Sequence, residues 1–145
     1  MSGLDLYARD DKGQWRWVAC PKPDKQHVEA VLISDLAPGE HEFAAYLPLY
    51  NGIEKLEIGV PKGSKFEGLA PREKPIVFYG TSITHGANAS RPGMVHTAIL
   101  GRRLERPVLN IGFSGNGRMD AAVGDLINEL DAAAIVIDCS PNMQP

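Results

Sequence analysis

Three short apolar segments, each followed by a polar, glycine-rich segment, dominate the second half of this 145-residue chain. They are Ile76–Tyr79 before Gly80-Thr81-Ser82-Ile83-Thr84, Val108–Ile111 before Gly112-Phe113-Ser114-Gly115, and Ala134–Asp138 before Cys139-Ser140-Pro141-Asn142. Helical patterns separate the three segments, which predicts the order β-α-β-α-β and a parallel sheet with right-handed crossovers. The polar ends of such strands converge on one crevice, where open α/β sheets place their sites.

The two predicted helices lie between these strands. One covers Met94 to Arg103, and the other covers residues 119–130, where apolar residues recur at helical spacing. The sequence of residues 62–74 predicts a linker, so we expect two domains, at residues 1–70 and 71–145.

Residues 1–70 show the alternation of apolar and polar residues that is typical of β-strands. We expect strands at residues 7–9, 14–18, 28–36, 43–47 and 56–60, with a turn at residues 10–13 and a hairpin at Asn51-Gly52. The product would be part of a β-sandwich. Four or five strands are few for a sandwich, so we expect further strands before residue 1.

Composition argues against several functions. The net charge is -3 and no run of Lys or Arg occurs, which argues against a nucleic-acid partner. No apolar stretch approaches the ~18 residues that span a membrane. No His, Cys, Asp or Glu cluster has metal-ligand spacing, and no cofactor is expected. Cys20 and Cys139 fall in different predicted domains, so a disulfide is not expected.

The position of Ser82 suits a nucleophile, because a strand would hold its backbone while a loop exposes its hydroxyl. Residues 80–84 resemble the first block of the SGNH hydrolases, also called GDSL-type esterases. Residues 110–115 resemble their second block, and Pro141-Asn142 lies where the third block carries its Asn. Residues 3–7, Gly-Leu-Asp-Leu-Tyr, match the Gly-x-Asp-Leu-Tyr signature of a β-domain that precedes one branch of these esterases.

The resemblance implies a partial three-layer α/β, flavodoxin-like hydrolase domain after the β-domain. It makes Ser82 the nucleophile. It also implies an oxyanion hole formed by the backbone N–H groups of Ser82 and Gly115 and the side-chain amide of Asn142. Acyl transfer needs such preorganised neutral donors, and an amide donates without titrating.

The sequence departs from the family at three places. Thr81 replaces the usual Asp of the first block, and Met143 follows Asn142 where the family usually has Asp. The general base should be a His in an Asp-x-x-His block after the Ser, but the only such match is Asp24-Lys25-Gln26-His27, which precedes Ser82. We therefore expect a fragment of a longer esterase, truncated at both ends and inactive alone.

The resemblance implies a serine esterase that removes O-acetyl or other short acyl groups from carbohydrate. Its partner would be an acylated small molecule or an acetylated glycan, and the family is often secreted or periplasmic. Because the base is missing, a non-catalytic carbohydrate-binding module is the alternative. A third hypothesis is phosphate or nucleotide binding at residues 112–117.

Plainer interpretations remain open for the individual residues. Ser82 could bond its own backbone in a turn, and Asn142 could cap one. His85 and His96 are better explained as structural or substrate-facing residues than as the base. Trp15 and Trp17 are either core residues or a platform for sugars, and Asp138 and Cys139 are expected to be structural.

Overall fold

The computed structural model describes residues 2–70 and 74–143. Its first sheet is antiparallel, has the order β2-β1-β3, and contains β1 (Asp5–Arg9), β2 (Trp15–Ala19) and β3 (Phe43–Tyr46). The predicted turn between β1 and β2 forms because the carboxylate of Asp10 accepts the backbone N–H groups of Lys12 and Gln14.

Two predicted strands in this half are wrong. Residues 28–36 and 56–60 form no strand, and no hairpin forms at Asn51-Gly52. A strand needs a neighbour for its backbone hydrogen bonds, and no described strand pairs with either segment. Most of their side chains are exposed. The described residues of this half therefore form one three-stranded sheet, and the β-sandwich stays a prediction.

The three strands predicted in the second half are confirmed as β4 (Ile76–Gly80), β5 (Val108–Gly112) and β6 (Ala134–Asp138). They form a parallel sheet with the order β5-β4-β6. β4 is buried along its whole length, as a central parallel strand should be. The register places Gly80 opposite both Gly112 and Asp138, so the three strands end at the same level.

Helices lie on both faces of β4. The chain forms α1 (Ser82–His85), α2 (His96–Leu104) and α3 (Ala121–Asn128). The two predicted helices are confirmed as α2 and α3, although each begins later than predicted. Ile127 of α3 packs on Val77 and Tyr79, whereas His96 of α2 meets Phe78 on the opposite face. Successive strand residues point to opposite faces, so this half has the predicted three layers.

The N-terminal sheet packs against the segment that precedes α2. The fully buried carboxylate of Asp5 accepts the backbone N–H of Gly93 at 2.7 Å and the indole N–H of Trp17 at 3.0 Å. Arg102 donates to the carbonyl of Gly93 at 2.7 Å, and its guanidinium lies 4.0 Å from the ring centroid of Tyr7. Asp5 and Tyr7 of the Gly-x-Asp-Leu-Tyr motif thus connect the two halves.

The predicted linker is exposed over residues 62–70 and contains no helix or strand there, and residues 71–73 lie outside the described residues. The division into domains at residues 70 and 71 stays a prediction. Among the described residues, none of the helices has the length and apolar character needed to cross a membrane.

Candidate active site

Ser82 begins α1, two positions after the end of β4. The buried Thr81 caps this helix, since its hydroxyl accepts the backbone N–H of Ile83 at 3.2 Å. Ser82 itself is half-buried, and its hydroxyl makes no hydrogen bond with any described residue. The hydroxyl is therefore available to a substrate or a base, and it forms no bond to its own backbone.

Two backbone hydrogen bonds hold the ends of the three strands together. The N–H of Thr81 donates to the carbonyl of Asp138 at 3.2 Å, and the N–H of Phe113 donates to the carbonyl of Gly80 at 2.9 Å. Gly117 packs so closely on Gly80 that a β carbon there would clash with the carbonyl group of Gly80. The strand ends thus converge as predicted, with the three polar loops at one edge of the sheet.

The two backbone N–H groups predicted to bind an oxyanion are free. Those of Ser82 and Gly115 donate to no acceptor among the described residues. The first N–H groups of a helix have no partner within the helix, which accounts for Ser82. Gly115 lies in the exposed 3-10 turn Ser114–Asn116, with open space around its α carbon. Free donors of this kind can stabilise the negative charge that develops in acyl transfer.

Asn142 joins the loop that follows β6 to the loop that follows β5. It is half-buried in the 3-10 turn Ser140–Asn142, and its amide donates to the carbonyls of Ser114 at 2.7 Å and Gly117 at 3.2 Å. Its side chain does not cap its own turn. An amide has two N–H groups, so donation to an oxyanion would require Asn142 to exchange one of these two bonds.

An open cleft of about 500 Å³ lies beside these loops, lined by Gly115, Arg118, Pro141, Asn142 and Met143. Arg118 contributes a positive charge there, and its Nε donates to the carbonyl of Gly115 at 2.9 Å. Two of the three predicted oxyanion residues therefore share one cleft, while Ser82 is not among its lining residues.

His85 lies in α1 with Ser82, but its ring faces other groups. Its Nε2 is 2.5 Å from the carbonyl oxygen of Leu49, and its Nδ1 is 3.1 Å from the hydroxyl of Ser114. A carbonyl only accepts, so Nε2 carries the hydrogen, and a neutral ring then accepts from Ser114 at Nδ1. Both ring nitrogens are engaged, which favours a structural role for His85 over that of the base.

Tyr50 is a site neighbour that the sequence pattern did not reveal. Its ring stacks on that of His85, with centroids 3.9 Å apart and an angle of 16° between planes. Its hydroxyl lies 3.2 Å from the Ser114 hydroxyl, and it is the donor of this hydrogen bond when Ser114 donates to His85. The sequence pattern assigns residue 50 to the start of a hairpin and gives no signal of this contact.

The remaining candidate histidines lie apart from these contacts. His96 is exposed at the start of α2 and meets Phe78 edge-on, at 5.8 Å between ring centroids. Asp24 and His27 are exposed in an irregular segment and share no hydrogen bond. Within the part of the chain that the structure describes, no cluster of three or more His, Cys, Asp or Glu side chains could hold a metal ion.

Neither tryptophan is a buried core residue. Trp17 is 53% exposed, and Trp15 is half-buried. Each ring has an arginine over one face, with Arg9 at 4.3 Å from Trp15 and Arg91 at 4.9 Å from Trp17.

The structural interpretation of Asp138 and Cys139 agrees with their surroundings. The carboxylate of Asp138 accepts the hydroxyl of Thr84 at 3.2 Å, and Cys139 is buried in the core beside Val77.

Comparisons with known proteins point to one family. Residues 73–145 match the GDSL-like lipase/acylhydrolase family, and residues 1–66 match the N-terminus of SGNH-hydrolase-type esterases. A Bacteroides ovatus protein, solved by crystallography as a candidate GDSL-like lipase, is similar with 40% identity and a TM-score of 0.91 over 98% of this chain. The chain spans 42% of the length of that protein. A search of curated proteins found no match.

The chain therefore belongs to the GDSL-like lipase/acylhydrolase family. This confirms the resemblance that the three blocks and the Gly-x-Asp-Leu-Tyr signature indicate.

Proposed function

We propose that this chain supplies the nucleophile and the oxyanion hole of a serine esterase that removes O-acetyl or other short acyl groups from carbohydrate. The observation that carries the proposal is the set of free groups at the edge of the parallel sheet. The hydroxyl of Ser82, its N–H and the N–H of Gly115 have no partner among the described residues.

In this mechanism the oxygen of Ser82 attacks the ester carbonyl, and its proton passes to a base. The carbonyl oxygen becomes an oxyanion that accepts from the N–H groups of Ser82 and Gly115 and from the amide of Asn142. The alcohol leaves with a proton from the base, and water then releases the acyl group from Ser82. Since both nitrogens of His85 are engaged, we assign the base to a His of the Asp-x-x-His block that the family implies, and not to His85.

The cleft contains two of the proposed oxyanion residues, Gly115 and Asn142, while Ser82 lies outside its lining, and its character favours a polar alcohol and a short acyl group as the substrate. Its lining includes Arg118 and Asn142, which can hydrogen-bond sugar hydroxyls, and it is open to solvent. A long acyl chain would need a deep apolar pocket. The alternative of a non-catalytic carbohydrate-binding module is not favoured, because both halves of the chain match models of an esterase family.

Labelling with a fluorophosphonate tests the nucleophile. In the protein as its gene encodes it, the reagent should modify Ser82 and leave Ser114 unmodified, because the Ser114 hydroxyl is bonded to His85 and Tyr50. The Ser82→Ala variant should lose the label. A folded wild-type protein that takes up no label would refute the proposal, and hydrolysis of acetylated sugars against longer acyl esters would test the substrate.

A further inference from the structure

Ser114 is the residue at which the parts of the site meet. Its hydroxyl contacts His85 of α1 and Tyr50 of the N-terminal half, at 3.1 and 3.2 Å. Its carbonyl accepts the amide of Asn142 at 2.7 Å. Ser114 thus contacts the helix that begins at Ser82, the loop that follows β6, and Tyr50, which lies 64 positions earlier in the chain.

The backbone of Ser114 has an unusual conformation that its contacts must hold in place. Its φ is +50°, a left-handed conformation that a residue with a β carbon adopts only when its surroundings hold it. Gly115 follows directly, so the conformation at Ser114 sets the direction of the Gly115 N–H.

The hydrogen bonds run in one direction through this group. Nε2 of His85 donates to the carbonyl of Leu49, and with a neutral His85 ring Ser114 donates to Nδ1 and Tyr50 donates to Ser114. Every donor and acceptor of the His85 ring is satisfied, and the stacked ring of Tyr50 covers one of its faces. The segment at residues 49–50 thereby holds both the helix of Ser82 and the loop of Gly115.

From this arrangement we infer that Ser114 and Tyr50 are positioning residues for the oxyanion hole. They touch no reacting atom. Ser114, held by Tyr50 and His85, fixes the direction of the Gly115 N–H, and its carbonyl holds the Asn142 amide in the same cleft. The N-terminal half thus contributes to the transition state through Tyr50. This inference rests on the proposed esterase function.

The test compares Ser114→Ala and Tyr50→Phe in the protein as its gene encodes it, assayed on an acetyl ester. Ser114→Ala removes the hydroxyl and leaves the carbonyl that Asn142 uses, whereas Tyr50→Phe keeps the stacked ring and removes only its hydroxyl. Ser90→Ala is the control, because Ser90 is exposed and its hydroxyl has no partner among the described residues. The concentration of active sites is measured by fluorophosphonate titration, so that misfolded protein is not counted.

We expect Ser114→Ala to lower kcat about tenfold with KM unchanged, since the loss of one hydrogen bond is felt in the transition state. Tyr50→Phe should lower kcat a few-fold, and the double variant should be no worse than Ser114→Ala because the two act through one contact. Residues that only stabilise the fold would lower the melting temperature and leave kcat per active site unchanged.

Three outcomes overturn the inference. One is a kcat for Ser114→Ala equal to that of Ser90→Ala, and another is a double variant with multiplied losses. If Ser114→Ala does not fold, Tyr50→Phe decides alone, and an unchanged kcat for it refutes the inference. Failure of the proposed function would look different, because the wild-type protein itself would then neither be labelled at Ser82 nor hydrolyse the ester.

Discussion

The carboxylate of Asp5 accepts the backbone N–H of Gly93 at 2.7 Å, although 88 positions separate the two residues in the chain. Asp5 is completely buried, and Arg91 lies 3.4 Å from its other oxygen. Gly93 belongs to the segment between α1 and α2. This contact therefore connects the first strand of the N-terminal sheet to the part of the chain that follows Ser82.

Replacing Asp5 with Ala should lower the free energy of unfolding by about 3 kcal/mol, because removal of one partner leaves Arg91 and two N–H donors without a buried acceptor. Denaturant titration would measure the change. Asp11→Ala is the matched control, since Asp11 is exposed in the turn before β2, and it should change stability by less than about 0.5 kcal/mol. Equal effects of the two substitutions would contradict the structural role of the motif.

A second prediction concerns the close packing of Gly117 on Gly80. A β carbon at residue 117 would lie 3.0 Å from the N of Thr81 and closer still to the carbonyl of Gly80, so backbone at the Ser82 turn must move. Gly117→Ala should destabilise the fold by about 1–3 kcal/mol and slow the labelling of Ser82.

Gly124→Ala provides the contrast. Gly124 lies inside α3, and a β carbon there meets nothing within 4 Å. This substitution should stabilise the protein by about 0.5–1 kcal/mol, because Ala favours helix more than Gly. A stable, fully labelled Gly117→Ala variant would show that the loop does not depend on this contact.

The fold of the second half could be predicted because its central strand is buried on both faces and helical patterns separate the three strands. The run at β4 is continuously apolar, which is typical of a central parallel strand that is covered on both faces. The apolar residues of 28–36 and the alternation in 56–60 are weaker signals, since they show that a segment could pair and not that a partner exists. Both segments remain exposed and unpaired among the described residues.

The sequence could predict which residues of the candidate site follow a strand, but not the contacts that those residues make with distant parts of the chain. Ser82, Gly115 and Asn142 each follow a strand, and parallel strands bring their ends together. The group of Tyr50, His85 and Ser114 depends on how residues 49–50 cross the sheet edge, which no local pattern encodes. Likewise, the sequence shows Asp5 as part of a signature but not its bond to Gly93.

The third prediction concerns pH and Tyr46, which packs near Arg102 and Tyr7. Burial raises the pKa of the Tyr46 hydroxyl, with Arg102 opposing the effect. The unfolded chain therefore loses this proton first, so the stability that Tyr46 contributes is complete below about pH 10 and falls as pH rises through its folded pKa.

Denaturant titrations between neutral pH and pH 11 would measure this slope. Tyr46→Phe should reduce the loss of stability above about pH 10, since it keeps the ring and removes the titrating group. The same slope in both proteins would show that other residues cause it.

The fourth prediction tests the oxyanion hole directly. Asn142→Ala should lower kcat by about 10²–10³, the usual cost of losing one oxyanion donor, with a smaller effect on KM. It also removes the two hydrogen bonds to the carbonyls of Ser114 and Gly117, so the melting temperature should fall. Asn88→Ala, at an exposed position, serves as the control. A loss of stability without a loss of kcat would assign Asn142 to loop anchoring alone.

The last prediction is that the 145-residue chain, made alone, hydrolyses acetyl esters little or not at all. Its proposed oxyanion donors are present, but no Asp-x-x-His follows Ser82 in these 145 residues, and removal of a triad member costs several orders of magnitude in rate. Ile135 and Ile137 of β6 are 43% and 52% exposed, so we also expect aggregation.

Hydrolysis of p-nitrophenyl acetate by the purified chain, compared with its Ser82→Ala variant, measures the residual activity. Near-normal rates that Ser82→Ala abolishes would show that a residue of this chain serves as the base. His85→Gln and His96→Gln would then identify it. His96 would be the first to test, because its ring is exposed, whereas both nitrogens of His85 are already bonded.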